Sequence, residues 1–260
     1  RGRLKMTTDS VTVKAFPRPQ TIFTRDPQLR AIGQQLEQSV LEQAKMGPVV
    51  YPPRSIDEAI GYLGDEGGRI LVGEGIWTFY EQLVITRPNV HIQAVSPQKT
   101  VFVNKIDDAV SANEVMIVVE GDEFIIDGVR FINEENSQHQ VKITGDHATI
   151  RNCVFEKFYA GSTVLGGDYA RIEGNRFLDG TGGYNLALFS SSHNTIANNI
   201  FPDTTGTQLY LSDSVYKTVI VGNVFDWSSG TVSIKRTTGV QSAADIATMN
   251  VVDASNVTER

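Results

Sequence analysis

Asp122, Asp146 and Asp168 each fall nine residues before a phenylalanine, at Phe131, Phe155 and Phe177. If the chain repeats with that spacing, the three carboxylates form one column, about 5 Å apart at the backbone. Carboxyls separated by about 5–5.5 Å suit a retaining glycoside hydrolase, and a wider pair suits an inverting one. Stacked like charges also raise a pKa or attract a cation such as Ca²⁺. Asp146 and Asp168, or Asp179 and Asp203, are therefore the candidate acid and base or nucleophile. A plainer use competes: Asp in Gly-Asp and Asp-x pairs is ordinary turn chemistry, with its side chain in water. Such columns recur wherever a turn type repeats, and the turn use is the expectation.

Sugar recognition asks for different groups. Tyr184, Tyr210 and Trp227 are aromatics near carboxylates, where a sugar ring would stack, and Asp213 and Lys235 are polar companions. Tyr216 is expected to pack on its own turn. His91, His139, His147 and His193 show no close metal-ligand spacing, so neither a metal nor a cofactor is expected. His147 and His193 fall in turns of different repeats. Lys235-Arg236 is a basic pair that strand alternation sends to opposite faces. Cys153 is the only cysteine, which excludes an intrachain disulfide, and a buried, inert thiol is expected.

The elements that must hold these residues show in a longer pattern. Phe131, Phe155, Phe177, Phe201 and Phe225 are separated by 24, 22, 24 and 24 residues. Ile126, Ile150, Ile172, Ile196 and Ile220 stand five residues before them, and Gly128, Asn152, Gly174, Asn198 and Gly222 stand three before. A period of this size, with a turn-former between two apolar residues, signals a stacked solenoid. Short alternating runs such as Val141-Lys142-Ile143 have strand periodicity. Gly and Asn tolerate the left-handed conformation and mark sharp bends. One coil reads as strand, turn, strand, tight bend, strand, longer turn, with the Ile and Phe columns inward. The ladder Asn175, Asn199, Asn223 reads as structural, its amides bonding at repeated bends.

These segments, FIIDGVRF, ATIRNCVF, ARIEGNRF, NTIANNIF and TVIVGNVF, resemble the right-handed parallel β-helix of the pectin-lyase-like superfamily. SIDEAIGYLGDEGGRILVGEGIWTF resembles the helix and first coil of such proteins, and VHIQAVSPQKTVFVN the next coil. The resemblance implies an all-β, single-stranded solenoid of about 22–24-residue coils over residues 49–236. Residues 1–48 would form an arm and an amphipathic helix, and 237–260 a cap or assembly segment. Sites in the superfamily usually lie on an exposed strand face flanked by turns. Lys142, Thr144, Tyr210, Ser212, Ser233 and Lys235 would stand outward there. The motifs of polygalacturonases (N-T-D, H-G, R-I-K), pectate lyases (W-I-D-H) and mannuronan epimerases (D-P-H) are absent in those forms.

Asp26-Pro27 begins a helix with Leu29, Ile32, Leu36, Val40 and Ala44 on one face, ended by Gly47-Pro48. Ser55 and Glu58 form an S-x-x-E box for a second helix carrying Ile56, Ala59, Ile60 and Leu63. Residues 104–114 read as a protruding loop. A net charge of −7 and a pI near 5.2 argue against a nucleic-acid surface. No apolar run is long enough to span a membrane, and no secretory h-region is visible.

The resemblance extends to phage tailspikes, which share the fold and assemble in a reducing cytoplasm. The expectation is a non-catalytic virion component (spike, appendage or capsid decoration). It would be a homotrimer in contact with other virion proteins and with a surface polysaccharide. Its location would be the virion after assembly in the host cytoplasm, or otherwise extracellular. The alternative is a glycoside hydrolase or polysaccharide lyase on the same scaffold.

Overall fold

The computed structural model describes residues 49–50, 55–106, 115–134, 139–158, 161–180, 183–201, 207–212, 214–225, 234–236 and 257–259. The expected arm and helix within 1–48, the heart of the 104–114 loop and most of the tail beyond 236 lie outside them.

Each lap of the chain contributes one short strand to each of three sheets. Thr149–Arg151, Val154–Glu156 and Gly161–Leu165 make one lap, and Arg171–Glu173, Arg176–Leu178 and Tyr184–Leu188 the next. We call these positions the first, second and third sheets. They hold eight, seven and eight strands, all paired in parallel. The structure is the expected right-handed parallel β-helix, with strand, bend, strand, loop, strand and turn in each coil. Val257–Glu259 adds to the third sheet beside Ile234–Arg236, within the segment expected to be a cap.

A three-residue strand has room for one inward side chain, and apolar burial selects it. Ile126, Ile150, Ile172, Ile196 and Ile220 pair in register and are fully buried. Phe131, Phe155, Phe177, Phe201 and Phe225 stack along the second sheet, with centroids 4.8, 5.1, 4.7 and 4.7 Å apart. Their planes lie within 9° of parallel, a geometry set by the strand spacing rather than by ring preference. The file continues to Phe102, edge-on at 5.6 Å, and Phe79 packs on Phe102 at 5.2 Å.

The bend between the first two sheets is left-handed throughout. Gly128, Asn152, Gly174, Asn198 and Gly222 have φ of 77°, 55°, 67°, 56° and 66°. The alternation of Gly with Asn has a steric reason. A Cβ on Gly222 would meet Asn198 Oδ1 at 2.5 Å.

The next residue inward builds the asparagine ladder. Asn175 Nδ2 donates to Ile150 O at 2.9 Å and to Asn199 Oδ1 at 3.0 Å. Asn199 Nδ2 does the same to Ile172 O at 2.8 Å and Asn223 Oδ1 at 2.9 Å. The amides of Cys153, Asn175 and Asn199 donate to the Oδ1 of the asparagine one lap on, each at 2.9 Å. Cys153 heads this column, buried, and desolvation pushes its thiol up to about 12. That protonated thiol is inert, as the sequence suggested.

At the amino-terminal end, helix α1 (Ile56–Tyr62) begins where Ser55 Oγ accepts from Glu58 N at 3.1 Å. Glu58 Oε1 accepts from Tyr62 Oη at 3.2 Å. Ile56, Ala59, Ile60 and Leu63 are buried in the solenoid core, as expected. The Arg87 guanidinium donates to the carbonyls of Ile60 and Leu63, placing a cation at the carboxyl end of the helix.

The stacked file predicts a graded response to truncation. Phe177→Ala, with a ring on either side, should lower unfolding free energy by about 3–5 kcal/mol. Phe225→Ala, with one described ring neighbour and slight exposure, should cost less. Urea unfolding followed by far-UV circular dichroism checks the order.

Candidate functional site

The carboxylate column forms as the spacing suggested, and it does backbone work. Asp122 Oδ1 accepts from Asp146 N at 2.8 Å, Asp146 Oδ1 from Asp168 N at 2.8 Å, and Asp168 Oδ1 from Ser192 N at 2.7 Å. Gly121, Gly145 and Gly167 precede these aspartates. A Cβ on Gly145 would strike the Gly121 carbonyl, and one on Gly167 the Gly145 carbonyl. The repeated Gly-Asp pair is thus a stacking device: Gly lets the laps approach, and Asp bonds the lap above.

A second column, one residue further along each lap, follows Asp122, Asp146, Asp168, Ser192 and Tyr216 and was not evident from the sequence. Glu123, His147, Tyr169, His193 and Lys217 all adopt left-handed φ, between 51° and 59°. The amides of His147 and Tyr169 donate to Asp168 O at 2.8 Å and Ser192 O at 2.9 Å. His147 stacks on Tyr169 at 4.9 Å and Tyr169 on His193 at 4.8 Å, with planes 10° and 12° apart. Tyr216 meets His193 edge-on at 6.1 Å. Each of these five residues stands eight before its Phe, a signal hidden by their mixed types. Stacked rings offer the solvent mainly their edges, so this flank is a poor sugar platform.

The outer face of the third sheet is arranged differently. Register sets Lys142, Val164, Ala187, Tyr210 and Lys235 side by side on successive laps. Tyr184 and Tyr210 come together, centroids 4.4 Å apart, and Phe189 tilts against Tyr210 at 5.4 Å. Tyr210, expected to stand open, is only 6% exposed, and Ser212 is buried too. The accessible rings of this cluster are half-buried Tyr184 and Phe189, 37% exposed, with Tyr210 packed against them. Lys142, on the strand two laps earlier, and Thr144, just after that strand, are exposed, as anticipated.

Asp179 is exposed, at φ 53°, just after the second-sheet strand Arg176–Leu178. Asp203, Asp213 and Trp227 lie outside the described residues, as does Ser233. Lys235 is placed by its backbone alone.

The other outer faces carry ion pairs between laps. Arg151 Nε meets Asp127 Oδ2 at 2.9 Å, and Arg130 Nη2 meets Glu156 Oε2 at 2.7 Å. His91 is half-buried there, and burial, with Arg69 and Arg151 nearby, lowers its pKa to about 4. Burial also lowers that of His139. Among the described residues no group of three or more His, Cys, Asp or Glu could hold a metal ion.

If Asp146 is an acceptor for the Asp168 amide, Asp146→Ala should cost about 1 kcal/mol of stability. Asp146→Asn, which keeps Oδ1, should cost well under half of that. Thermal melts of both variants give the comparison.

Residues 91–245 match the family described as the right handed beta helix region. No curated protein matches the chain. Among solved structures it is similar to the PL6 family alginate lyase AlyGC, at 16% identity and a TM-score of 0.55. That match covers 72% of this chain and 30% of the lyase. It is also similar to the catalytic domain of a GH87 α-1,3-glucanase solved with nigerose, at 15% identity and a TM-score of 0.52. There the coverage is 75% of this chain and 40% of the glucanase. The chain thus spans well under half the length of either enzyme, and likeness at this identity shows a shared scaffold. That scaffold is one used by polysaccharide-active enzymes. The chain belongs to the right-handed β-helix family.

Proposed function

We propose that this protein binds a polysaccharide along the outer face of its third sheet and does not cleave it, as a bacteriophage virion component. The observation that carries the binding role is the aromatic cluster of Tyr184, Tyr210 and Phe189, set between Lys142 and Lys235 in one register. Val164 and Ala187 keep the column between the lysines smooth. Four lap intervals separate Lys142 from Lys235, about 19 Å along the solenoid axis. A glycan lying along that axis would rest pyranose faces on Tyr184 and Phe189. Lys142 would favour an anionic sugar residue through a charge-assisted hydrogen bond.

The non-catalytic part rests on the aspartates. Glycoside hydrolysis asks two carboxyls to face one scissile bond with their protonation states set apart. Asp146 and Asp168 instead turn one oxygen each onto a backbone amide of the neighbouring lap. The virion setting and a trimer extend the resemblance to tailspikes. The buried, unpaired thiol of Cys153 suits assembly in a reducing cytoplasm.

Affinity electrophoresis through gels loaded with anionic and neutral bacterial polysaccharides tests the reading. Retardation by an anionic polymer is expected, weakened about tenfold in Tyr184→Ala and in Lys142→Ala, about 1.4 kcal/mol each. The same incubations should release neither reducing ends nor unsaturated sugars. Product release that disappears in Asp168→Asn would replace this reading with the glycosidase or lyase alternative.

A further inference from the structure

The amino-terminal end of the solenoid has a different unexplained feature. Among the described residues the second sheet ends at Gly75–Phe79, whose one strand neighbour there is Thr100–Asn104 of the next lap. The first sheet is closed at this end by Val49–Val50, and α1 covers the core. Nothing among the described residues pairs with the outer side of Gly75–Phe79.

Parallel pairing makes alternate residues face opposite neighbours. Gly75 N donates to Lys99 O at 3.0 Å, and Phe79 O accepts from Lys105 N at 2.9 Å. Gly75, Trp77 and Phe79 therefore face the next lap. The backbone N–H and C=O groups of Ile76 and Thr78 face outward. They form half of a parallel ladder that lacks its other strand.

The side chains agree with that reading. Ile76 is 73% and Tyr80 69% exposed, the highest values of any large apolar residue described. Trp77 stands in register with Phe102 and the buried phenylalanine file, yet is only half-buried, with no described lap above it. A groove of about 350 Å³ opens between this strand and the start of α1. Apolar Trp77, Phe79 and Tyr80 line it, with Asp57 and Glu81 as its charged groups. Exposed edges are ordinarily blunted by lysine or proline, and Gly75–Gln82 has neither. An uncovered, apolar, acid-rimmed edge is a seat for a strand of opposite charge.

We propose that Gly75–Phe79 accepts an extended segment of a partner protein by parallel strand addition. That segment alternates β-branched or aromatic residues with lysine or arginine. The backbone of Ile76 and Thr78 completes the ladder, an apolar residue of the partner caps Trp77, and its cations meet Asp57 and Glu81. This inference is independent of the polysaccharide-binding reading, since it uses none of the third-sheet residues.

The full-length chain and the synthetic peptide acetyl-TVKVTVK-amide supply the test, with acetyl-TVEVTVE-amide as control. Titration followed by ¹H–¹⁵N spectra should move the Ile76 and Thr78 amides first. The acidic peptide should bind about tenfold more weakly or worse, a gap that narrows in high salt. Thr78→Pro deletes an outward N–H that bonds nothing among the described residues, so folding should persist while peptide binding falls about tenfold. Ile76→Lys, which keeps the strand and adds a blocking charge, should reproduce that loss. Three results would overturn the proposal. One is equal affinity for both peptides, and another is unmoved Ile76 and Thr78 amides at saturating peptide. The third is concentration-dependent self-association abolished by Thr78→Pro, which would give the edge to a second copy of this chain.

Discussion

Lap-to-lap hydrogen bonding at left-handed corners is the constraint on which the rest of this molecule depends. A left-handed residue other than glycine costs about 1–2 kcal/mol. The chain accepts that at His147, Tyr169 and His193 on one corner and at Asn152 and Asn198 on another. At each, the amide thereby reaches an acceptor on the adjoining lap, as His147 N does at Asp168 O. One such bond contributes about 0.5–1.5 kcal/mol and would not suffice alone. On the outer corner the stacked rings add contact, and on the inner one the asparagine ladder adds buried amide bonds. Because every lap must present the same corner to its neighbour, the fold is repetitive in conformation before it is repetitive in sequence.

That constraint divides the surface by duty. Gly-Asp turns, bends and the asparagine file hold laps together through side-chain bonds to the backbone of adjoining laps. Ion pairs such as Arg151–Asp127 occupy the outer faces of the first two sheets. Exposed pairs of this sort add little stability, under about 1 kcal/mol, but they leave few groups free for a ligand. The third sheet differs: its outer column runs from lysine through small apolar residues to aromatics, with no acid described in it. Recognition of a long polymer suits a solenoid, since each lap repeats the same spacing along the axis.

The fold was largely legible because the core demands one residue type per position. Isoleucine, phenylalanine and Gly or Asn repeat at fixed offsets, and all three files appear as read. The file did not announce its beginning, since an insertion stretches the gap from Phe102 to Phe131 to 29 residues. The site was less legible, for two physical reasons. Exposed corners constrain conformation and not chemistry, so Glu123, His147, Tyr169, His193 and Lys217 share a backbone state with no common side chain. Alternation says which way Tyr210 points but not what lies over it, and its burial follows from neighbours distant in the sequence, Tyr184 and Phe189. The aspartates stand on successive laps, as the spacing predicts, and each accepts a backbone amide through one oxygen. That bonding partner, the amide of the next lap, needed three dimensions to see.

Native-state hydrogen exchange measures the central claim most directly, because turn amides normally exchange quickly. The amides of Asp146, Asp168 and Ser192, though at the surface, should be protected nearly as well as those of Ile150 and Ile172 in the strands. Exchange of those three at the rates of open, solvated turns would contradict it. The laps would then be held by their core alone, and the aspartates would be free for other chemistry.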